Sequence, residues 1–141
     1  MSIQDKQAEI IEEFSFFDDW QERYEYLIQL GNSLPPMDEE KKNAGLLVKG
    51  CQSNVWLDAS MHDGVMDFTA DSDAILPKGI AALLVRLYSG EEPKEILNSD
   101  EKFIEDIGLQ EFLSPTRANG LLAMIKQIKF YAIAYQAKSN R

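Results

Sequence analysis

The chain has 141 residues, a formal net charge of −10 and a single cysteine, Cys51. This length fits one domain, expected to span residues 1–141, which can bury a core without disulfides. One cysteine excludes an internal disulfide framework and a metal or cluster site built from thiolates alone. The acidic balance argues against nucleic acid and anionic membranes as partners. With no apolar run of about 18 residues and no secretory signal, we expect a cytoplasmic protein.

The charge is unevenly distributed along the chain. The first 113 residues carry 24 acidic and 9 basic side chains, whereas residues 114–141 carry five basic side chains and no acidic one. The basic segment has two interpretations. It lies on the acidic body of the protein, or it neutralises an anion or docks a partner.

Two helices are predicted at the start of the chain. Residues 3–14 form the first helix, with Ser2 as its N-cap. The second helix begins after Asp18–Asp19 and ends at Gly31, which we expect to be its C-terminal glycine. Residues 38–43 are charged and contain one helical turn at most.

The middle of the chain predicts a small antiparallel sheet. Short segments with strand character lie at residues 46–49, 53–60 and 65–69, and the second of them alternates apolar and polar positions. His62-Asp63-Gly64 is a hairpin signal between the last two segments. We therefore expect three antiparallel strands.

Helices return after Asp71-Ser72-Asp73. This acidic triplet is interpreted as a turn and helix cap, with a position near a reactive loop as the alternative. The following helix contains the run Ile80–Val85, which is apolar on all sides and predicts burial on more than one face. Gly90 closes this helix.

The rest of the chain predicts two short helical segments and one long helix. Residues 93–97 and 101–113 form the short segments, the second broken at Gly108. Ser114 is the N-cap of the final helix, which continues to about Lys138. The order of helices, sheet and helices predicts an α+β domain, with helices packed on the three-stranded sheet.

Cys51 is the first candidate for chemistry. It lies in Gly50-Cys51-Gln52-Ser53, between two predicted strands and outside any apolar stripe. Glycine allows an unusual backbone conformation there, and Gln52 and Ser53 carry groups that can hydrogen-bond a thiolate or an attached sulfur. The alternative is a buried, inert cysteine, since free cysteine is among the most buried residue types.

Two other residues bear on that chemistry. A cysteine hydrolase needs a histidine base, and the only histidine, His62, lies in the predicted hairpin turn, where we expect it to be solvated. Nor does the spacing of Cys51 and His62 support a metal site. Arg117 lies near a helix N-terminus, where the helix dipole disfavours a cation. It is therefore interpreted as pairing with an acid or stabilising a thiolate.

Several dispersed segments, in the same order along nearly the whole chain, resemble the SufE family of sulfur-acceptor proteins. The matching segments are Trp20-Gln21-Glu22-Arg23-Tyr24, Leu30-Gly31, Leu34-Pro35, Gly50-Cys51-Gln52-Ser53, Val55-Trp56, Asp71-Ser72-Asp73-Ala74, Lys78-Gly79, Leu113-Ser114-Pro115-Thr116-Arg117 and Gly120-Leu121.

The resemblance implies an α+β fold similar to that of IscU scaffolds, and a role as a sulfur carrier. A SufS-type cysteine desulfurase, which holds the pyridoxal phosphate, transfers persulfide sulfur to the SufE cysteine, here Cys51. The SufE protein stimulates the desulfurase and passes the sulfur to a SufB-containing scaffold. It needs no cofactor or metal of its own. This transpersulfuration is carried out as the partner of an enzyme rather than alone.

Cys51 is therefore the predicted reactive residue. The residues predicted to support its loop are Gly50, Gln52, Ser53, Asp73 and Arg117. Two alternatives stay open: a CsdE-like partner of a different desulfurase, and an allosteric activator that carries no sulfur. A cluster scaffold is disfavoured, because it needs several thiolates. Both a monomer and a homodimer are compatible with the sequence.

Overall fold

The computed structural model describes residues 2–100, 102–108 and 113–139. Within these ranges, helices surround one β-hairpin, and Glu39–Lys41 forms a single 3-10 turn. The elements in chain order are α1 (Ile3–Ser15), α2 (Trp20–Asn32), β1 (Val55–His62), β2 (Val65–Ser72), α3 (Ile75–Tyr88), α4 (Pro93–Asn98), α5 (Lys102–Asp106) and α6 (Pro115–Ser139). The predicted α+β class is confirmed.

In the described residues the sheet has two strands, so the prediction of three strands is wrong. β1 and β2 pair antiparallel from Val55–Ser72 to His62–Val65 around the predicted Asp63-Gly64 turn. The expected first strand, residues 46–49, makes only one isolated bridge, between Leu47 and Trp56.

Tyrosines from α6 explain why the third strand stops so early. Two backbone hydrogen bonds join residues 46–48 to β1: Val48 N–H to the Val55 carbonyl, 2.8 Å, and Leu57 N–H to the Leu46 carbonyl, 2.9 Å. Further along the same edge, the Tyr131 hydroxyl donates to the Leu57 carbonyl at 2.9 Å, and the Tyr135 hydroxyl to the Ala59 carbonyl at 3.2 Å. Side chains of α6 thus cover the edge that a longer strand would have paired.

The acidic triplet is mostly strand rather than turn. β2 extends through Ser72, and the N-cap position of α3 is taken by Ala74. The Ser72 hydroxyl accepts a hydrogen bond from the Ala74 N–H at 3.2 Å, so only part of the predicted cap is present. Asp71 can remain in a buried strand because Lys42 and Lys78 lie 3.3 and 3.5 Å from its carboxylate.

Gly31 is not the C-terminal glycine that the sequence predicts, since α2 continues to Asn32. Gly31 is buried against α3, where a Cβ added to it would lie 2.9 Å from the Gly79 nitrogen. A Cβ added to Gly79 would lie only 2.2 Å from the Leu27 carbonyl oxygen. The two glycines therefore allow backbone-to-backbone contact between α2 and α3, the helix that is buried on several sides as predicted.

The final helix begins and ends close to the predicted residues. The Ser114 hydroxyl accepts a hydrogen bond from the Arg117 N–H at 3.3 Å, which confirms the N-cap. Of the predicted segment 101–113, residues 101 and 109–112 lie outside the described residues. In the described ranges, no helix has the length and apolar character that crossing a membrane requires.

Candidate functional site

The Cys51 loop, residues 49–54, lies between the segment that bridges to β1 and β1 itself, and it packs on α6. Gly50 has φ +99°, a backbone conformation that other residues rarely adopt. A Cβ added there would lie 3.2 Å from the Ala123 Cβ in α6. Gly120, also in α6, faces the sulfur, and a Cβ at that position would lie 3.5 Å from Sγ. Glycine at 50 thus allows both the turn and the close approach that place Cys51 on α6.

The Cys51 thiol is half-buried and held in its neutral form. Its Sγ lies 3.6 Å from the Gly120 carbonyl oxygen, to which the thiol can donate a hydrogen bond. Burial raises the pKa of the Cys51 thiol, and a thiolate would also face the partial negative charge of that carbonyl oxygen. The resting thiol is therefore protonated and a weak nucleophile.

An open cavity of about 500 Å³ lies beside the sulfur. Its walls come from α2, the start of α3, the Cys51 loop and the first turns of α6. Most of the lining side chains are apolar, and Ile75 is 68% exposed. The apolar lining consists of Tyr24, Ile28, Ala74, Ile75, Leu76, Pro77, Ile80 and Met124. The cavity therefore offers Cys51 apolar surroundings that a partner can still reach.

Three of the predicted supporting residues also line this cavity: Gln52, Ser53 and Arg117. Gln52 is exposed and Ser53 is half-buried, and among the described residues neither side chain hydrogen-bonds to the sulfur. Arg117 is exposed in the first turn of α6 and forms no ion pair within residues 2–100, 102–108 and 113–139. Arg117, the cation predicted near the thiol, thus lies at the cavity, and no carboxylate of the described residues pairs with it.

Asp73 holds the end of the Cys51 loop. Its carboxylate accepts hydrogen bonds from the Asn54 backbone N–H at 3.1 Å and from the Asn54 amide at 2.9 Å. The Asp73 N–H and the Ser72 hydroxyl both donate to the Asn54 carbonyl, at 3.2 and 2.7 Å. This agrees with the alternative interpretation that the acidic triplet lies near the reactive loop. Asn54 itself was missed, because nothing in the sequence relates it to a residue 19 positions away.

Asp71 was also missed as an anchor for the segment that leads into the loop. Burial acts to raise the pKa of the Asp71 carboxyl. The Ser72 N–H and the ammonium groups of Lys42 and Lys78 have the opposite and larger effect, so the pKa lies below its ordinary value. Lys42 in addition lies 5.7 Å from the centre of the Trp56 ring. Lys42 thereby ties the polar segment before the Cys51 loop to both strands.

His62 lies at the wrong end of the hairpin to act on the cysteine. It is the last residue of β1, is exposed, and has its Nε2 3.2 Å from an Asp63 carboxylate oxygen. The Cys51 loop precedes the other end of β1, about 20 Å away for an eight-residue strand. Among the described residues, no group of three or more His, Cys, Asp and Glu side chains is placed to hold a metal ion.

Fold and site together define a small α+β protein that presents one sheltered thiol in a loop against its last long helix. A family model named SufE, described as an Fe-S metabolism associated domain, matches residues 8–132. The chain therefore belongs to the SufE family and has a role in iron–sulfur metabolism.

Similar proteins cover most of the chain. A SufE-like protein of Rhizobium etli is 41% identical over 126 residues, which are 86% of this chain and 85% of that protein. A SufE-like protein of Synechocystis is 43% identical over 129 residues, which are 92% of this chain and 81% of that protein. A solution structure of a hypothetical protein from Thermus thermophilus has the same fold, with a TM-score of 0.78 at 23% identity, and covers 94% of this chain and 96% of that one.

Proposed function

We propose that the protein is a cytoplasmic sulfur acceptor and carrier that acts as one SufE-like domain. It takes persulfide sulfur from a SufS-type cysteine desulfurase onto Cys51, stimulates that enzyme by clearing its persulfide, and delivers the sulfur to a SufB-containing scaffold. Pyridoxal phosphate belongs to the desulfurase, and the carried sulfur is bound covalently to Cys51.

The chemistry requires one thiolate and no metal. Cys51 loses its proton, and its sulfur attacks the outer sulfur of the partner's persulfide. The sulfur–sulfur bond of that persulfide breaks as a new one forms to Cys51, and the partner's cysteine leaves as a thiolate that takes up a proton. One sulfur atom moves, and no outside oxidant or reductant is consumed.

The position of Cys51 is the observation that carries this proposal. The sulfur is half-buried between the Gly120 carbonyl and an open apolar cavity of about 500 Å³. Such a site keeps a carried persulfide half-buried in apolar surroundings, where other thiols reach it less readily, yet it lies in a loop that docking can displace. Gln52, Ser53 and Arg117 at the same cavity are the polar groups available to the transferred sulfur.

Intact-mass measurement after incubation with the desulfurase and free cysteine tests the proposal. We expect a gain of one sulfur atom, removed by a reductant and blocked when Cys51 is alkylated first. Cys51→Ser should show no gain while its melting temperature stays unchanged. Sulfur carried by Cys51→Ser, or none carried by the wild-type chain, would contradict the proposal.

Two measurements separate the alternatives from the main proposal, one on the same variant and one on the wild-type chain. An allosteric activator without sulfur transfer predicts that Cys51→Ser still stimulates the desulfurase, whereas a carrier predicts that stimulation is lost. A CsdE-like role predicts faster persulfide formation with a CsdA-type desulfurase than with a SufS-type enzyme at equal concentration.

A further inference from the structure

The last helix has a second apolar face that nothing in the described chain covers. Its inner face carries the buried residues Leu121, Ile125, Ile128 and Ala132. About 120° around the helix from that face, Leu122, Phe130 and Ile133 are 41%, 62% and 56% exposed. At 100° per residue these three side chains lie within one sector of the helix surface. A surface helix normally has charged or polar residues there, so the exposed apolar face needs a reason.

Cations accompany these apolar side chains. Lys126 lies between Leu122 and Phe130 on the same face and is exposed, and Lys129 lies at its edge. The Lys129 ammonium donates to the Ser99 carbonyl at 3.2 Å, which keeps that side chain in place. Together the five side chains line a shallow groove of about 360 Å³. No acidic residue occurs anywhere in residues 114–141.

We propose that this outer face of α6 binds another protein, and that the partner presents an apolar groove with an acidic rim. The outer face is defined by Leu122, Lys126, Lys129, Phe130 and Ile133. Phe130 and Ile133 are spaced i, i+3, and Leu122 lies on the same face about two turns earlier, as in a helix whose apolar face lies in a groove. The two lysines select an acidic rim by charge complementarity. The segment that carries them is basic, while the rest of the chain has a large excess of acid.

Charge also decides against two other occupants. In an antiparallel pairing of two copies of α6, the lysines of both copies would face one another, and like charges in contact are unfavourable. An anionic membrane presents negative charge over an extended plane, so it would face and repel the first 113 residues, which carry 24 acidic and 9 basic side chains, whereas an acidic rim on a protein faces only the lysines.

The outer face does not overlap the Cys51 cavity. The α6 residues that line the cavity, among them Arg117, Gly120 and Met124, lie on a different side of the helix from the exposed apolar stripe. A protein bound at the outer face therefore leaves Cys51 accessible. The face provides a second point of attachment beyond sulfur transfer itself, and the proposed function serves only to choose the proteins for the test.

Isothermal titration with the purified desulfurase and, separately, with the SufB-containing complex provides the test. The double variant Phe130→Ser/Ile133→Ser and the single variant Lys126→Glu should each weaken binding to one of the two proteins by about tenfold or more. The Lys126→Glu effect should shrink at high salt. Phe16→Ser, which removes a phenylalanine that is 73% exposed at the C-terminal end of α1, is the matched control and should leave both affinities unchanged.

Three results would overturn the inference. The first is that the double variant binds both proteins with unchanged affinity, and the second is that the Phe16→Ser control loses as much affinity as the double variant. The third is that the wild-type chain sediments as a dimer and the double variant does not. Circular dichroism checks that each variant is folded. The mass gain on Cys51 is measured independently, so weakened binding without any sulfur on Cys51 would contradict the proposed function and leave this inference standing.

Discussion

At the scale of single residues, the Cys51 thiol is kept in the form that cannot attack a persulfide. Burial raises its pKa, and the thiol has as its hydrogen-bond partner the Gly120 carbonyl oxygen at 3.6 Å, which accepts from a thiol and repels a thiolate. Transfer needs the thiolate. In the proposed transfer, therefore, the loop moves away from α6, or the partner changes the surroundings of the sulfur, before Cys51 attacks.

Asp73 should control how often the loop opens. Asp73→Ala removes two hydrogen bonds to Asn54, of 3.1 and 2.9 Å. We expect alkylation of Cys51 in the folded protein to become about fivefold to tenfold faster. Iodoacetamide labelling followed by mass measurement gives the rate. Asp67→Ala, which removes an exposed carboxylate from β2, the strand that ends just before Asp73, should leave the rate unchanged. The same rate in folded wild-type and unfolded protein would show that the loop gives no shelter.

Arg117 should act on the opened loop rather than on the stability of the fold. Its guanidinium lines the cavity beside Cys51, where a cation favours the thiolate or the persulfide anion. We expect Arg117→Ala to slow sulfur acceptance from the desulfurase by about tenfold with an unchanged melting temperature. Lys138→Ala at the far end of the same helix is the control. Unchanged kinetics would reduce Arg117 to a structural role.

At the scale of elements, close packing of α2 on α3 forms one wall of the site. Leu27 in α2 contacts Gly79 in α3 through backbone atoms, and residues of the same two helices, among them Tyr24, Ile28 and Ile80, line the Cys51 cavity. The separation of the two helices therefore sets the width of the cavity as well as the packing of the core.

Gly79→Ala should force these helices apart. The added Cβ would lie 2.2 Å from the Leu27 carbonyl oxygen, which cannot move without the helix. We expect the free energy of unfolding to fall by about 3 kcal/mol, measured by urea denaturation. Gly45→Ala is the control, because its Cβ would meet only the movable Asn43 side chain, at 3.1 Å. Similar stability of the two variants would show that the crossing adjusts easily.

At the scale of the whole molecule, one polar cluster links the first three helices. Arg86 of α3 contacts Glu9 and Glu13 of α1, and Tyr26 of α2 hydrogen-bonds to both Arg86 and Glu13. The hydrogen bond from Arg86 lowers the pKa of Glu13 below its ordinary value of 4.5, against the opposing effect of burial. The ionised carboxylate thereby stabilises the packing of α1.

The stability that Glu13 supplies should depend on pH in a defined direction. Because its pKa is lower in the folded than in the unfolded protein, its contribution is complete above pH 4.5 and is lost as the pH falls further. We expect Glu13→Gln to cost about 1 kcal/mol near neutral pH. Urea unfolding of both proteins across the acidic range should show this difference shrinking. A difference that stays constant with pH would contradict the assignment to charge.

Local patterns were sufficient for most of the elements. Ser2 and Ser114 mark helix starts by their own capping groups, and the Asp63-Gly64 turn has positive φ at both residues, as a two-residue hairpin requires. The lone Cys51 in a glycine-led segment, together with the dispersed matching motifs, also indicated the family. The caps and the turn depend on a few neighbouring residues, and the motifs are segments of the sequence itself. Both can therefore be recognised without knowledge of the tertiary structure.

Tertiary contacts decided the rest. The third strand failed because Tyr131 and Tyr135 of α6 occupy its edge of β1, and Gly31 serves helix contact rather than a helix end. Asn54 gained its role only when the hairpin brought Asp73 beside it. The sequence by itself determined the kinds of element and singled out the Cys51 sulfur as the candidate reactive atom. The surroundings of that atom depend on residues that are distant in the sequence, such as Gly120, 69 positions away, and only folding brings these together.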